Sequence, residues 1–89
     1  MRFAWDNKKG DKLKKHRGYS FEEVVELFQK SYHLSQKQDD PEQWRAIGWV
    51  KENLVSLIYE EREDDDGAFY WLVTYWLATK AERSLYHED

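Results

Sequence analysis

Hydrophobic residues are most concentrated between positions 69 and 77, a stretch that reads FYWLVTYWL and contains no charged side chain. Alternate positions are apolar on both sides of an extended chain, with Phe69, Trp71, Val73, Tyr75 and Leu77 on one face and Tyr70, Leu72, Thr74 and Trp76 on the other. A strand covered on both faces has this pattern, and the short length and the DDDG turn before it favour a strand over a buried helix. We therefore predict that residues 69–77 form the central strand.

The first third of the chain predicts a short strand and two helices. Residues 2–5, RFAW, alternate as an edge strand would, and Asp6 stands at the N-cap position of a lysine-rich helix over 7–16 whose clear apolar anchor is Leu13. Ser20 and Glu23 form a capping box, which is typical of a helix start. The residues that follow, to about position 29, place Phe21, Val24, Val25, Leu27 and Phe28 on one face. This helix is predicted to pack on a sheet.

The middle of the chain predicts an antiparallel meander. Residues 31–35 alternate as a half-buried strand, residues 36–43 read as a loop, and strands over 44–50 and 54–62 are joined by a hairpin at 51–53. Thr79 and Glu82 form a second capping box, which starts a last helix with Leu85 and Tyr86 as its inward residues. The predicted class is α+β, with N-terminal helices, a three- to four-stranded antiparallel sheet, a C-terminal helix, and the helices on one face.

Charge is distributed unevenly along what we expect to be a single domain over residues 1–89. Residues 1–17 carry seven basic and two acidic side chains, and the remainder carries seven basic and sixteen acidic ones. A polyanion could therefore bind the first segment and a basic partner the rest. Without cysteine, thiol catalysis and cysteine-ligated zinc are excluded. We expect no cofactor and no metal, because His16, His33 and His87 lack metal-ligand spacing. No membrane-spanning run or signal peptide is visible, which predicts a soluble cytoplasmic protein.

Several motifs follow one another in a fixed order along nearly the whole chain. The opening FAWD is followed by a lysine-rich segment ending in Lys15 and His16, then by GYSFEE at 18–23, WRAIG at 44–48, VSLIYEER at 55–62 and ATKAERSLY at 78–86. In combination this series resembles the BrnT-type toxin family. The resemblance implies a RelE-like fold.

In functional terms, the resemblance implies a ribonuclease toxin of a type II toxin–antitoxin module. Such a toxin would cleave RNA by metal-independent acid/base chemistry and be neutralised by a cognate antitoxin, expected to be of the ribbon-helix-helix type. Carried over by position, the candidate catalytic residues are Arg62, Glu61, Arg83 and His16. The candidate RNA-binding residues are Lys8, Lys12 and Lys15, which share one side of the basic helix, together with Tyr86.

Two other functions stay open at this stage. The loop at 38–41 lacks the histidine that the family has there, and Trp76 stands where a basic residue is expected, so a degenerate toxin-like protein could act only by binding another protein, with Trp49 and Trp76 as anchors. An acidic phage-type inhibitor could instead imitate nucleic acid with its carboxylates. Locally, Arg62 also fits a cross-strand ion pair, and His16 fits a helix C-terminus favoured by the dipole.

Overall fold

The computed structural model describes residues 1–88 as a five-stranded mixed sheet with helices on both faces. Its elements in chain order are β1 (Arg2–Trp5), α1 (Asn7–Arg17), α2 (Phe21–Val24), a 3-10 helix (Val25–Gln29), β2 (His33–Asp39), β3 (Glu42–Val50), β4 (Asn53–Asp64), β5 (Gly67–Leu77) and α3 (Lys80–Glu88). The strand order is β1-β5-β4-β3-β2. β1 runs parallel to β5, and all other neighbours are antiparallel.

The predicted α+β class is confirmed, whereas the predicted number and direction of strands differ from the structure. β1 adds a fifth strand, parallel to β5, and α1, α2 and the 3-10 helix then carry the chain over one face of the sheet from β1 at one edge to β2 at the other. The loop predicted over 36–43 is wrong, since β2 continues to Asp39 and β3 begins at Glu42. As an edge strand, β2 leaves Leu34 47 % exposed.

Both predicted helix starts in the first third of the chain are confirmed. The Asp6 carboxylate accepts a hydrogen bond from the Lys9 amide at 3.1 Å, and the Ser20–Glu23 capping box is complete. Gly18, with φ of 99°, ends α1 in the left-handed conformation that glycine tolerates best. After one turn, the second predicted helix continues as the 3-10 helix. Leu13, Phe21, Val24 and Leu27 from this layer enter the hydrophobic core.

A bulge in β5 changes which of its side chains share a face. Leu72 is opposite Tyr59 and Thr74 is opposite Ile58, so Val73 is an extra residue. Beyond the bulge the alternation is shifted by one position. Buried Leu72 and Tyr75 therefore lie on the same face, which is the face covered by α1, α2 and the 3-10 helix. The predicted alternation of residues 69–77 is therefore wrong from Val73 onward. The other face carries Phe69, Trp71, Thr74 and Trp76.

The prediction that the helices share one face is also wrong. The Tyr75 hydroxyl contacts the carbonyl oxygens of Leu13 and Tyr19 in the N-terminal layer, whereas the next residue, Trp76, points to the opposite face and contacts Glu82 of α3. Because both faces of β5 are apolar, each needs its own cover. β5 is an interior strand, and β4 occupies the centre of the sheet.

Candidate nucleic-acid interface

Beside α3, the second face of the sheet carries two arginines over two aromatic rings. In the register of β1, β5 and β4, Arg2 and Arg62 both lie opposite Phe69, and Glu60 lies opposite Trp71. The Arg2 guanidinium carbon is 5.2 Å from the Phe69 ring centroid, and that of Arg62 is 4.7 Å from the Trp71 ring centroid. Both distances fall within the range of cation–π attraction. We call these five residues the arginine–aromatic face.

Arg62 and Glu60 form a pair on this face. Arg62 donates from Nη2 and Nε to Glu60 Oε1 at 2.6 and 3.0 Å, and Gln43 Nε2 donates to Oε2 at 2.7 Å. The hydrogen bond from Gln43, followed by that from Arg62, lowers the pKa of Glu60. Glu60 is therefore ionised at neutral pH, and its carboxylate oxygens have further lone pairs that can accept a hydrogen bond.

Arg2 is oriented in a similar way at the neighbouring edge. Its Nη2 donates to Asp64 Oδ1 at 2.6 Å and to the Gly67 carbonyl oxygen at 2.9 Å, and the hydrogen bond from Arg2 lowers the pKa of Asp64. The Arg2 and Arg62 side chains are 47 % and 46 % exposed. Each guanidinium has five N–H donors, so a solvent-facing phosphate can still be bound.

Of the two adjacent glutamates, only Glu60 shares a face with Arg62. Glu61 lies opposite Tyr70, and its charge raises the pKa of Tyr59, so it lies on the opposite face of β4. Sequence reasoning chose Glu61 because it adjoins Arg62 in the chain. The two-residue period of a strand was the signal that could have identified Glu60.

The remaining catalytic candidates are spread over the molecule. Arg83 is exposed on α3, on the same side of the sheet as Arg62. His16 is exposed at the C-terminal end of α1, in the helix layer that covers the other face. The structure therefore does not bring His16 and Arg62 together.

The candidate RNA-binding residues are also divided between the two sides. Lys8, Lys12 and Lys15 are exposed on α1, which is the layer opposite the arginine–aromatic face. Tyr86 is half-buried on α3, with its ring 6.3 Å from that of Trp49 and its hydroxyl donating to the Ser31 carbonyl oxygen at 3.4 Å.

The two tryptophans expected to bind a partner both contact α3 within the chain. Trp49 packs edge to face against Tyr86, and Trp76 Nε1 donates to Glu82 Oε1 at 2.9 Å. Both are half-buried. Their contacts within the chain account for much of their surface.

Glu82, which is 6 % exposed, is the centre of a polar network beneath α3. It accepts hydrogen bonds from the Thr79 amide and from Trp76, and its Oε2 lies 3.4 Å from Arg45 Nη1. Burial alone would raise the pKa of Glu82, but the hydrogen bonds from Thr79 and Trp76 outweigh it, and the pKa is lowered. Arg45 in turn donates to Ser35 Oγ at 3.0 Å, which links α3 to β3 and β2.

Neither a metal cluster nor a membrane helix is found in the part of the chain that the structure describes. Within residues 1–88 no three histidine or acidic side chains are grouped so that they could bind a metal ion. No helix over the same residues is long and apolar enough to cross a bilayer. Compared with models of known protein families the chain matches none, and no curated protein matches it.

Proposed function

We propose that this protein is a BrnT-like toxin that binds and cleaves RNA on the arginine–aromatic face and is neutralised by a cognate antitoxin protein. The observation that carries the proposal is the placement of two half-exposed guanidinium groups over Phe69 and Trp71 on a sheet face. Arginine binds phosphate through two parallel hydrogen bonds, and aromatic rings stack on the bases of single strands. Because a guanidinium covers each ring, a base would stack on the guanidinium plane or on a ring from which the arginine has turned away to bind phosphate.

The Arg62–Glu60 pair supplies the groups that cleavage would need. In the proposed step the ribose 2′-oxygen attacks the adjacent phosphorus, Glu60 accepts its proton, the bond to the 5′-oxygen breaks, and that oxygen takes a proton from water. Arg62 stabilises the extra negative charge on the phosphoryl oxygens. Glu60 replaces Glu61 in this role because it is the carboxylate 2.6 Å from Arg62.

A second candidate function is protein binding without catalysis, and it rests on β2. This edge strand exposes 47 % of Leu34, and Tyr32 just before it is 39 % exposed. An unpaired strand edge beside exposed apolar side chains suits pairing with a strand of another protein. Such a partner could be the antitoxin, so this surface is compatible with both candidates.

Incubation of cellular RNA with purified protein separates the two functions. The wild-type protein should degrade RNA, and Arg62→Ala and Glu60→Gln should each slow degradation by at least tenfold, since each removes a group from the reacting centre. Lys80→Ala is the matched control, because it removes an exposed cation from α3. If the RNA stays intact with the wild-type protein, cleavage is excluded and protein binding is the candidate function that remains.

A further inference from the structure

A cleft of about 280 Å³ lies between the C-terminal half of α3 and the segment before β2. The residues that line it are Ser31, Tyr32, His33, Tyr86 and His87. In the sequence, His33 and His87 are 54 positions apart, and no motif links them. The fold brings them to one cleft, outside the arginine–aromatic face.

The aromatic walls of the cleft are held in place by contacts behind them. The Tyr86 ring packs edge to face with Trp49 at 6.3 Å and with His87 at 5.3 Å, and Tyr32 packs in the same way on Phe28 at 5.1 Å. The hydrogen bond from the Tyr86 hydroxyl to the Ser31 carbonyl oxygen joins the two sides of the cleft. The walls are therefore organised before a ligand enters.

The chemistry of the lining selects a planar, uncharged ligand that can form hydrogen bonds. None of the five lining residues carries a permanent charge, so a bare anion would find neither arginine nor lysine in the lining. Two imidazoles are fewer than the three or four protein ligands of zinc sites. Aromatic rings beside imidazole nitrogens and hydroxyl groups match the faces and edges of a heteroaromatic base. From this lining we infer that the cleft is a binding site for a nucleobase.

The cleft lies at the β2 edge of the sheet: His33 and α3 are on the same side as the arginine–aromatic face, whereas Tyr32 packs on Phe28 of the other layer. His33 is opposite Ile47 of β3, which is opposite Ser56 of β4, and Arg62 follows six residues later on the same face. Six strand residues span roughly 20 Å, and the two strand spacings from β2 to β4 add about 10 Å at right angles, so the direct separation is roughly 22 Å. That distance corresponds to about six to seven stacked nucleotides at 3.4 Å each. Arg45 lies between the two sites on β3.

The nucleobase could belong to a free nucleotide or to an RNA strand. Only the second source rests on the proposed function, because it requires RNA on the arginine–aromatic face. In that case the cleft would bind a base about six to seven nucleotides from the phosphate at Arg62, and it would contribute to the choice of RNA sequence.

NMR titration of the isotope-labelled full chain tests the inference without an activity assay. AMP and UMP are added separately, and then a single-stranded RNA of eight nucleotides at low temperature, while the ring resonances of His33, His87, Tyr32 and Tyr86 are followed. The variant is His87→Ala, since His87 is exposed near the end of α3 and its removal leaves the core intact. His16→Ala is the matched control on the other side of the sheet.

We expect at least one mononucleotide to shift these four ring resonances saturably. His87→Ala should weaken its affinity about five- to 150-fold, the range for loss of base–aromatic stacking, whereas His16→Ala and Arg62→Ala should leave the affinity of the cleft unchanged. Tyr32→Ala should weaken the affinity similarly. For the oligonucleotide, weakening by both His87→Ala and Arg62→Ala would establish RNA as the source of the base. If only His87→Ala weakens oligonucleotide binding, the cleft binds a base and the arginine–aromatic face does not bind RNA.

Two results would overturn the inference. In the first, neither the nucleotides nor the RNA shifts the four rings up to the solubility limit. In the second, shifts occur but His87→Ala and Tyr32→Ala leave the affinities unchanged. Either result is compatible with RNA binding that depends on Arg62, so the base site and the proposed function can fail separately.

Discussion

Replacement of Glu82 by alanine should detach α3 from the sheet. The carboxylate is 6 % exposed and accepts hydrogen bonds at 2.9 Å from both the Thr79 amide and Trp76 Nε1. Glu82→Ala leaves both donors without their acceptor and removes the ion-pair partner of Arg45. The helix thereby loses the Glu82 half of its capping box, while the Thr79 hydroxyl still accepts from the amide of residue 82, and it loses its main polar contact with the sheet at the same time.

The expected loss follows from these contacts. A hydrogen bond to a charged group contributes about 1.5–3 kcal/mol, and water that enters the opened site recovers part of the two that are lost. Arg45 keeps its hydrogen bonds to Ser35, so it is not left without a partner. We therefore expect Glu82→Ala to lower the free energy of unfolding by about 3 kcal/mol, and Tm by roughly 12–24 °C for a domain of this size.

Urea denaturation followed by tryptophan fluorescence measures this loss, and hydrogen exchange of the α3 amides shows whether the helix opens locally. Glu82→Gln keeps an acceptor without the charge and should lose about half as much. Glu88→Ala, an exposed change on the same helix, should stay within about 0.5 kcal/mol of wild type. If Glu82→Ala were as stable as Glu88→Ala, the docking role of Glu82 would be refuted.

Two further predictions concern the layer of α1, α2 and the 3-10 helix. A Cβ at Gly48 would lie 3.0 Å from Leu27 Cβ, so Gly48→Ala should overpack the core and lower the free energy of unfolding by about 1–3 kcal/mol; urea midpoints equal to wild type would contradict this. Hydrogen bonds from the Ser20 amide and Lys14 lower the pKa of Glu23 from 4.5 to about 2. The unfolded chain therefore takes up this proton first as pH falls, so the stabilisation is present above pH 4.5 and is lost toward pH 2. Glu23→Gln should reduce the pH dependence of urea midpoints in that window, and an unchanged slope would contradict the assignment.

Local signals predicted the helix starts and the hairpin between β3 and β4. The capping boxes that begin with Ser20 and Thr79 depend on residues three positions apart, and both are confirmed. The turn after Val50 was visible because alternation resumes on both sides of it. Such features depend on neighbours along the chain, so the sequence is sufficient to identify them.

Features that depend on tertiary packing were missed. The bulge at Val73 has no signature in a stretch that is apolar on both faces, and it reversed the assignment of Tyr75 and Trp76. The pairing of β1 with β5 joins distant segments. For the same reason the meeting of His33 and His87 could not be predicted. The face of Glu60, by contrast, could have been read from strand alternation.

Measuring RNA binding by variants of the arginine–aromatic face shows whether RNA is held on that face. Fluorescence anisotropy with a short single-stranded RNA at low temperature would compare Arg62→Ala and Trp71→Ala with a Lys8, Lys12 and Lys15→Ser triple variant of the opposite layer. We expect each of the first two variants to lose about 1–3 kcal/mol of binding free energy, and the salt dependence to fall by about one counterion for Arg62→Ala. The triple variant should retain the larger share of the affinity. Unchanged binding by Arg62→Ala and Trp71→Ala would contradict the account, and a loss confined to the triple variant would move the RNA to α1.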